Sequence, residues 1–417
     1  MRHLGLALLL ASACTGSISS GSGGGGGDDT PPPPNNKVAV TVADGATPQA
    51  NVRVMFQAAD GTVVTAMTDA TGTAFTDMPA GGNVTVIRTY PVAVPPAVQK
   101  YPEVLTYVGV KPGDELHLGH EIDDTSDASA INVKVPITAQ GTIKVVTPCG
   151  TGEGTAPNIP ISVTGCAAQL AFYVSDGGES SFMAHAPYGS SVDLSTQSLV
   201  GSLAMSFSAT NLTDVTSVDA EARLVDGAFT LFSSGTKRVD GGAQTVNMPN
   251  IQTGDELVIG TIATTAGGTQ MTANRRPYAV TPTIIDASAN RIASIDQDPT
   301  VTPMAITWLE GGTGDADFVI ATVDVTRGGT PLPSDAQYTR TIIAPHAGMS
   351  LAITSSGDAT FDPSMDDQLA ARVGLVKATG GYDALRGRAL SVSNVVTAAP
   401  MGGTVTLSYS GNNAPEL

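Results

Sequence analysis

Acidic side chains carry most of the chemistry available to this sequence. Asp296-Gln297-Asp298 and Asp315-Ala316-Asp317 each set two carboxylates two residues apart, and Asp358, Asp362, Asp366 and Asp367 crowd one short segment. Residues i and i+2 of a strand or extended loop point to the same side, so each pair offers its oxygens together. That pattern suits calcium, a hard cation that takes roughly six to eight oxygen ligands and binds extracellular modules with dissociation constants of about 10⁻⁴ to 10⁻³ M. Asp296, Asp298, Asp315 and Asp317 are the candidate ligands, solvated turn aspartates being the alternative, and calcium is the one cofactor the sequence suggests. Paired carboxylates also serve glycosidases. Those enzymes need a sugar cleft, usually lined with aromatic rings, and aromatic residues make up only 5% of this chain.

Other catalytic signatures are absent. The histidines are His3, His117, His120, His185 and His346. His117 and His120 lie three apart, so on a strand they face opposite ways and cannot share a metal as helical i,i+4 residues do. Neither a Gly-x-Ser-x-Gly elbow nor a His-Glu-x-x-His zinc motif occurs. The expectation is a protein that is not an enzyme. For carbohydrate recognition, Tyr188, Tyr278 and Trp308 are the aromatic candidates, with a place in the core or a turn as the alternative for each.

The three cysteines divide by position. Leu4 to Ala13 is an apolar run of ten residues after Arg2 and His3. It fits a signal-peptide core and is too short for a permanent membrane helix. The run ends Leu10-Ala11-Ser12-Ala13-Cys14, which resembles the lipobox of bacterial lipoproteins. The resemblance implies cleavage before Cys14 and its acylation, and with Thr15 rather than Asp next, sorting to the outer membrane. Ala11 stands where the family usually has Leu, and ordinary secretory cleavage near Ala13 is the alternative. Residues 15–36 then carry Gly23 to Gly27, Asp28-Asp29 and Pro31 to Pro34, too little apolar surface to offset the entropy of ordering. They read as a disordered Gly/Ser/Pro-rich stalk. Cys149 and Cys166 remain, and in an oxidising compartment such an even pair is most simply a disulfide contributing about 3 kcal/mol.

Composition fits an exported protein. The 417 residues carry a formal charge of −18, with 41% hydrophobic and 14% charged residues. A polyanion of this kind repels nucleic acid and anionic head groups, so the partners expected are the membrane, through a lipid anchor, and a surface protein or polysaccharide. The location expected is extracytoplasmic, at the outer membrane or cell surface. The length suggests two to four domains.

The elements that must position these residues read as strands throughout. In 37–123, Val38, Val40 and Val42 alternate with small residues, Asp60-Gly61 marks a hairpin, and turns follow at Thr68 to Gly72 and Pro79 to Gly82. The order of Gly45 to Val54, then Thr68-Asp69 with Gly72 and Phe75, then Pro79 to Val86, resembles the carboxypeptidase regulatory-like, or transthyretin-like, β-sandwich. That resemblance implies a non-catalytic accessory module. The tyrosine that usually precedes its last strand is missing here. Gly113 to Gly119 recurs as Gly254 to Gly260, two acidic turns that enter strands. After a small acidic linker, 131–300 holds short strands with turns at sandwich spacing, as one or two modules that divide near Asp214. Residues 301–417 begin with the chain's one tryptophan, Trp308, and resemble an immunoglobulin or fibronectin III sandwich, with a helical turn within 362–371 capped by Ser364. The expected fold is all-β, tandem sandwich modules behind a signal and a linker. The expected function is a surface-anchored lipoprotein with a structural or adhesive role. The alternative is a binding module for carbohydrate or cell-wall polymer.

Overall fold

The computed structural model describes residues 36–409 except 45–46, 95–96, 121–128, 138–140, 164–168, 177–179, 227–228, 252–255, 266–267, 290, 297–298, 313, 328–336, 357, 389 and 391–394. Cys14, Cys166 and Asp298 therefore lie outside the described residues, and with them the expected lipid site, the stalk, the Cys149–Cys166 bridge and one calcium candidate. Within the described residues the fold is all-β and sandwich-like, as the alternation predicts. Among them no helix is long and apolar enough to cross a membrane.

The strand Phe318–Thr326 is the spine. Its residues are buried on both faces, which explains its nearly unbroken apolar sequence. Phe318 and Ile320 enter one core. Val319, Ala321, Val323 and Val325 enter another on the opposite side of the sheet. The strand pairs antiparallel with both Gln337–Pro345 and Gln368–Ala378. The sheet then extends both ways. On one side Gln337–Pro345 pairs in parallel with Ala97–Val110, with Thr339 opposite Glu103 and Ile343 opposite Tyr107, and Gly82–Val94, Arg53–Ala58 and Val63–Met67 follow. On the other side Gln368–Ala378 leads to Thr404–Tyr409, Gly268–Pro277, Glu256–Thr265, Val215–Asp226 and Phe229–Ser233.

Strands from all three sequence segments thus share one sheet of 13 strands, and residues 35–417 form one compact unit. Composition and turn spacing carry no sign of this sharing, because the joining pairs are remote in the chain.

Facing sheets cover the large one. Lys37–Asp44, Thr47–Pro48, Thr73–Asp77 and Glu115–His120 make a small sheet. Val38, Val40, Val42, Leu116 and Leu118 from it pack on Val54, Phe56, Val84, Val86 and Tyr107. The segment 37–120 is therefore a two-sheet sandwich. Gly82 opens its long hairpin at φ +151°, where a Cβ would run into the Gln57 carbonyl, so only glycine fits. Leu203–Thr210, Gln244–Met248 and Thr283–Asp286 form a second cover over Val215–Asp226 and Glu256–Thr265. Residues 129–201 build a separate sheet of eight strands around Ile131, Val133, Ile143, Ile159, Phe172 and Phe182.

Of three local expectations, the helical turn is corrected. The break within 131–300 falls at Ser202, between the strands Val200–Gly201 and Leu203–Thr210, because the strand before it belongs to the eight-stranded sheet and the strand after it to the second cover. No helix forms over 362–371. A 3₁₀ turn at Ala359–Phe361 carries Asp358 as its cap, and the chain is already a strand from Gln368, where the ladder to Phe318–Thr326 outweighs local capping. The two Gly-Asp-Glu-Leu echoes enter different settings: Glu115–His120 pairs in parallel with Lys37–Asp44, while Glu256–Thr265 lies between two antiparallel neighbours.

Candidate functional site

The described acidic candidates, Asp296, Asp315 and Asp317, each have a separate setting. Among the described residues no three His, Cys, Asp or Glu come together as a group that could hold a metal. Asp296 accepts from the Ser294 hydroxyl at 2.9 Å. Asp317 accepts from the Ala378 amide at 2.8 Å, which fixes it to the neighbouring strand. Asp315 is exposed.

The crowded segment 358–367 is neutralised by arginines instead. Asp358 pairs with Arg53 and also accepts from the Thr360 amide. Asp367 takes Arg327 at 2.7 Å. Asp362 takes the Arg340 guanidinium at 3.3 Å, the Ser356 amide at 2.5 Å and the Ser355 hydroxyl at 2.5 Å. Burial pushes the Asp362 pKa up, but the serine donors and Arg340 together outweigh it and hold the carboxyl below its usual range. Arg340 is fully buried, and its second amino group donates to the Thr354 carbonyl. These contacts staple the 353–367 loop to the strands of Arg53 and Arg340 and to Arg327, just past the end of a third. The loop is a structural clamp, and its cations come from residues 53, 327 and 340, too distant in sequence for spacing to reveal.

Nor do the nominated aromatics form a binding surface. Trp308 is 4% exposed and belongs to a core. Its Nε1 donates to Glu310 Oε1 at 2.7 Å, and His346 Nε2 lies 2.8 Å from that same oxygen. Tyr278 donates to the Pro249 carbonyl from a half-buried position. Tyr188 is exposed, and its hydroxyl sits 2.9 Å from that of Ser129. His117 is exposed beside Glu115 at 3.7 Å.

A cleft does exist, at a place the sequence did not single out. It lies where the eight-stranded sheet meets the 203–286 sandwich and has a volume of about 390 Å³, within the range of small-ligand pockets. Tyr173 and Ser180-Ser181 come from the first body. Ser202 comes from the connection, Phe232 to Ser234 and Lys237 from the sheet beyond it, and Thr245 to Pro249 from an edge strand. The joint beneath is apolar, with Ala171 and Tyr173 against Leu224 and Leu231. Tyr173 and Phe232 are tilted ring partners with centroids 5.5 Å apart. Burial raises the Tyr173 pKa, opposed by hydrogen bonds to Ser181 and Ser175, so at neutral pH it stays a neutral phenol. Behind the rim, buried Glu221 pairs with Arg223 at 3.0 Å and accepts from the Ser233 hydroxyl, which holds Ser233 in place. The wall therefore offers hydroxyls, an amide and aromatic carbon, with one ammonium.

Comparison with known proteins adds no family. No family model matches the chain, and no curated protein matches it. Among solved structures, the Bacillus anthracis TIE protein aligns at 9% identity over 61% of this chain, spans 50% of its own length and gives a TM-score of 0.14. A likeness that slight carries no argument about fold or function.

The cleft was illegible in the sequence because its serines come from strands and connections that do not read as one motif. Serine is common throughout the chain, and only the packing of two bodies brings these five together.

Proposed function

We propose that this chain is an exported, lipid-tethered binding protein with an adhesive, non-catalytic role, and that it holds a hydroxyl-rich ligand, a unit of a saccharide polymer, in the cleft between the eight-stranded sheet and the 203–286 sandwich. The observation that carries the reading is the lining: five serines, Thr245 and Asn247 stand beside Tyr173 and Phe232. Sugars need that combination, hydrogen-bonding groups for their hydroxyls and an apolar face for their C–H surface. The lipobox-like Leu10 to Cys14 and the Gly/Pro stalk support export and tethering at a bacterial surface. That compartment would also permit the Cys149–Cys166 disulfide.

The binding half is tested with a glycan array and calorimetry on the ectodomain, with and without calcium. Asn247 is exposed on an edge strand, so Asn247→Trp should fill the cleft without disturbing the core. It is expected to weaken binding at least about tenfold, or roughly 1.4 kcal/mol, with the melting temperature unchanged. Full binding by this variant, or none by the wild type on any saccharide, removes the cleft from the proposal. The anchor is tested separately by labelled palmitate: label is expected on the wild type and absent from Cys14→Ala. Equal labelling of both ends the lipoprotein reading.

A further inference from the structure

Many of this protein's cations answer a carboxylate. Acidic residues outnumber Lys and Arg by 38 to 20, and Arg53, Arg88, Lys111, Lys134, Arg223, Arg238, Arg275, Arg327, Arg340, Arg372 and Arg386 all stand in salt bridges. Lys144, Lys237, Arg276, Arg291, Lys377 and Arg388 stand in none of these bridges, and of them Lys237 alone is at the cleft, where it makes no ion pair among the described residues. Its sequence neighbour Arg238 is committed to Asp240 at 2.9 Å.

Two carboxylates near the cleft are engaged. Glu221 holds Arg223 and Ser233. Asp176 accepts from the Ser180 amide at 3.2 Å. No acid is among the lining residues. The cleft is thus a locally cationic spot on a strongly anionic molecule, and its ammonium stands among neutral hydrogen-bonding groups.

We propose that the cleft selects a saccharide unit bearing a single negative charge, a uronate or a sulfate ester, with Lys237 Nζ meeting the anion while the serine, threonine and asparagine groups take the sugar hydroxyls. This rests on the saccharide reading above and narrows it. A lone ammonium matches one unit of charge, whereas a phosphate monoester carries nearly two and would leave charge uncompensated beside an acidic surface. An ion pair in a walled cleft is less screened than one in open water, and the rest of the surface repels polyanions, so the pairing confers position as well as affinity.

The test uses the intact ectodomain and three probes: galacturonate oligomers, the same oligomers as methyl esters, and a sulfated neutral oligosaccharide. Esterification removes the charge and keeps the ring hydroxyls. The free acid is expected to bind roughly ten- to a hundredfold tighter than the ester, the range of a charge-assisted hydrogen bond, and to weaken as salt rises. Lys237→Met should bring acid and ester to the same affinity, and Lys237→Arg should keep most of the preference. Tight binding of the sulfated probe with loss of the uronate assigns the anion as sulfate, still within the proposal. Equal binding of acid and ester by the wild type, or a preference that survives Lys237→Met, overturns it while leaving the saccharide cleft standing. Failure of every saccharide on the array, with no effect of Asn247→Trp on anything bound, brings down the underlying reading instead. Lys237 is exposed on a two-residue edge strand, so an unchanged melting temperature will show that Lys237→Met folds.

Discussion

Asp362→Ala is expected to destabilise the protein by about 3 kcal/mol, near the lower end of the cost of stranding a buried charge. Arg340 has no exposed surface, and Asp362 is its carboxylate partner. The arginine's Nε already finds no hydrogen-bond partner in the fold, so little is left to compensate the guanidinium once the aspartate goes. The carboxylate itself is 29% exposed, and water entering at that side limits the loss. Replacing both partners with apolar residues, Arg340→Met with Asp362→Leu, should recover most of the stability and land within about 1.5 kcal/mol of the wild type. Urea unfolding midpoints on the two variants give the comparison. A single variant within about 0.5 kcal/mol of wild type, the usual scatter of surface changes, would show that the clamp around residues 353–367 is not closed by this pair.

The second large effect concerns the joint between the first and last segments. A fragment of residues 37–123 expressed alone is expected not to unfold cooperatively, although it contains both sheets of its own sandwich. Its strand Ala97–Val110 would lose its parallel neighbour. Asp114 would lose Arg386, two hydrogen bonds of 2.5 and 2.7 Å, and the Tyr107 hydroxyl would lose the Arg388 carbonyl. Tyr107 and Leu105 would also lose a share of the core to which Phe318, Ile320, Ile343, Tyr382 and Leu385 contribute. In the intact chain, Phe318→Ala should cost about 3 to 5 kcal/mol and lower the hydrogen-exchange protection of Val84 and Val86 together with that of Ile320 and Ile343. A fragment with a sharp melting transition, or protection at Val84 that ignores the Phe318 change, would show that the segments are energetically independent.

What was legible in the sequence follows the distance over which the signal acts. Val38, Val40 and Val42 announce a strand with one buried face because strand periodicity is local, and Asp60-Gly61 announces its hairpin for the same reason. The apolar run at Phe318 takes its meaning from the structure, where a core lies on each face of the strand. The parallel pairing of Ala97–Val110 with Gln337–Pro345 was not legible, since parallel partners need no short connection and these two lie more than two hundred residues apart. The aspartates of 358–367 were visible as a group, but their meaning depended on Arg53, Arg327 and Arg340, which only the fold brings near. Trp308, prominent for being unique, was a core residue, while Tyr173 and Phe232 were ordinary strand aromatics until two bodies met around them.

The strand Lys37–Asp44 has a mechanical consequence. It is the first strand among the described residues, and it is gripped on both sides, antiparallel by Thr73–Asp77 and in parallel by Glu115–His120 over the six partners from Ala39–Glu115 to Asp44–His120. A pull on the chain ahead of Lys37, directed along the strand, loads those rungs side by side. They must slip together, as teeth in a rack do, rather than open in succession like a zip. A ligand held under flow elsewhere on the body would therefore draw on the sum of those rungs.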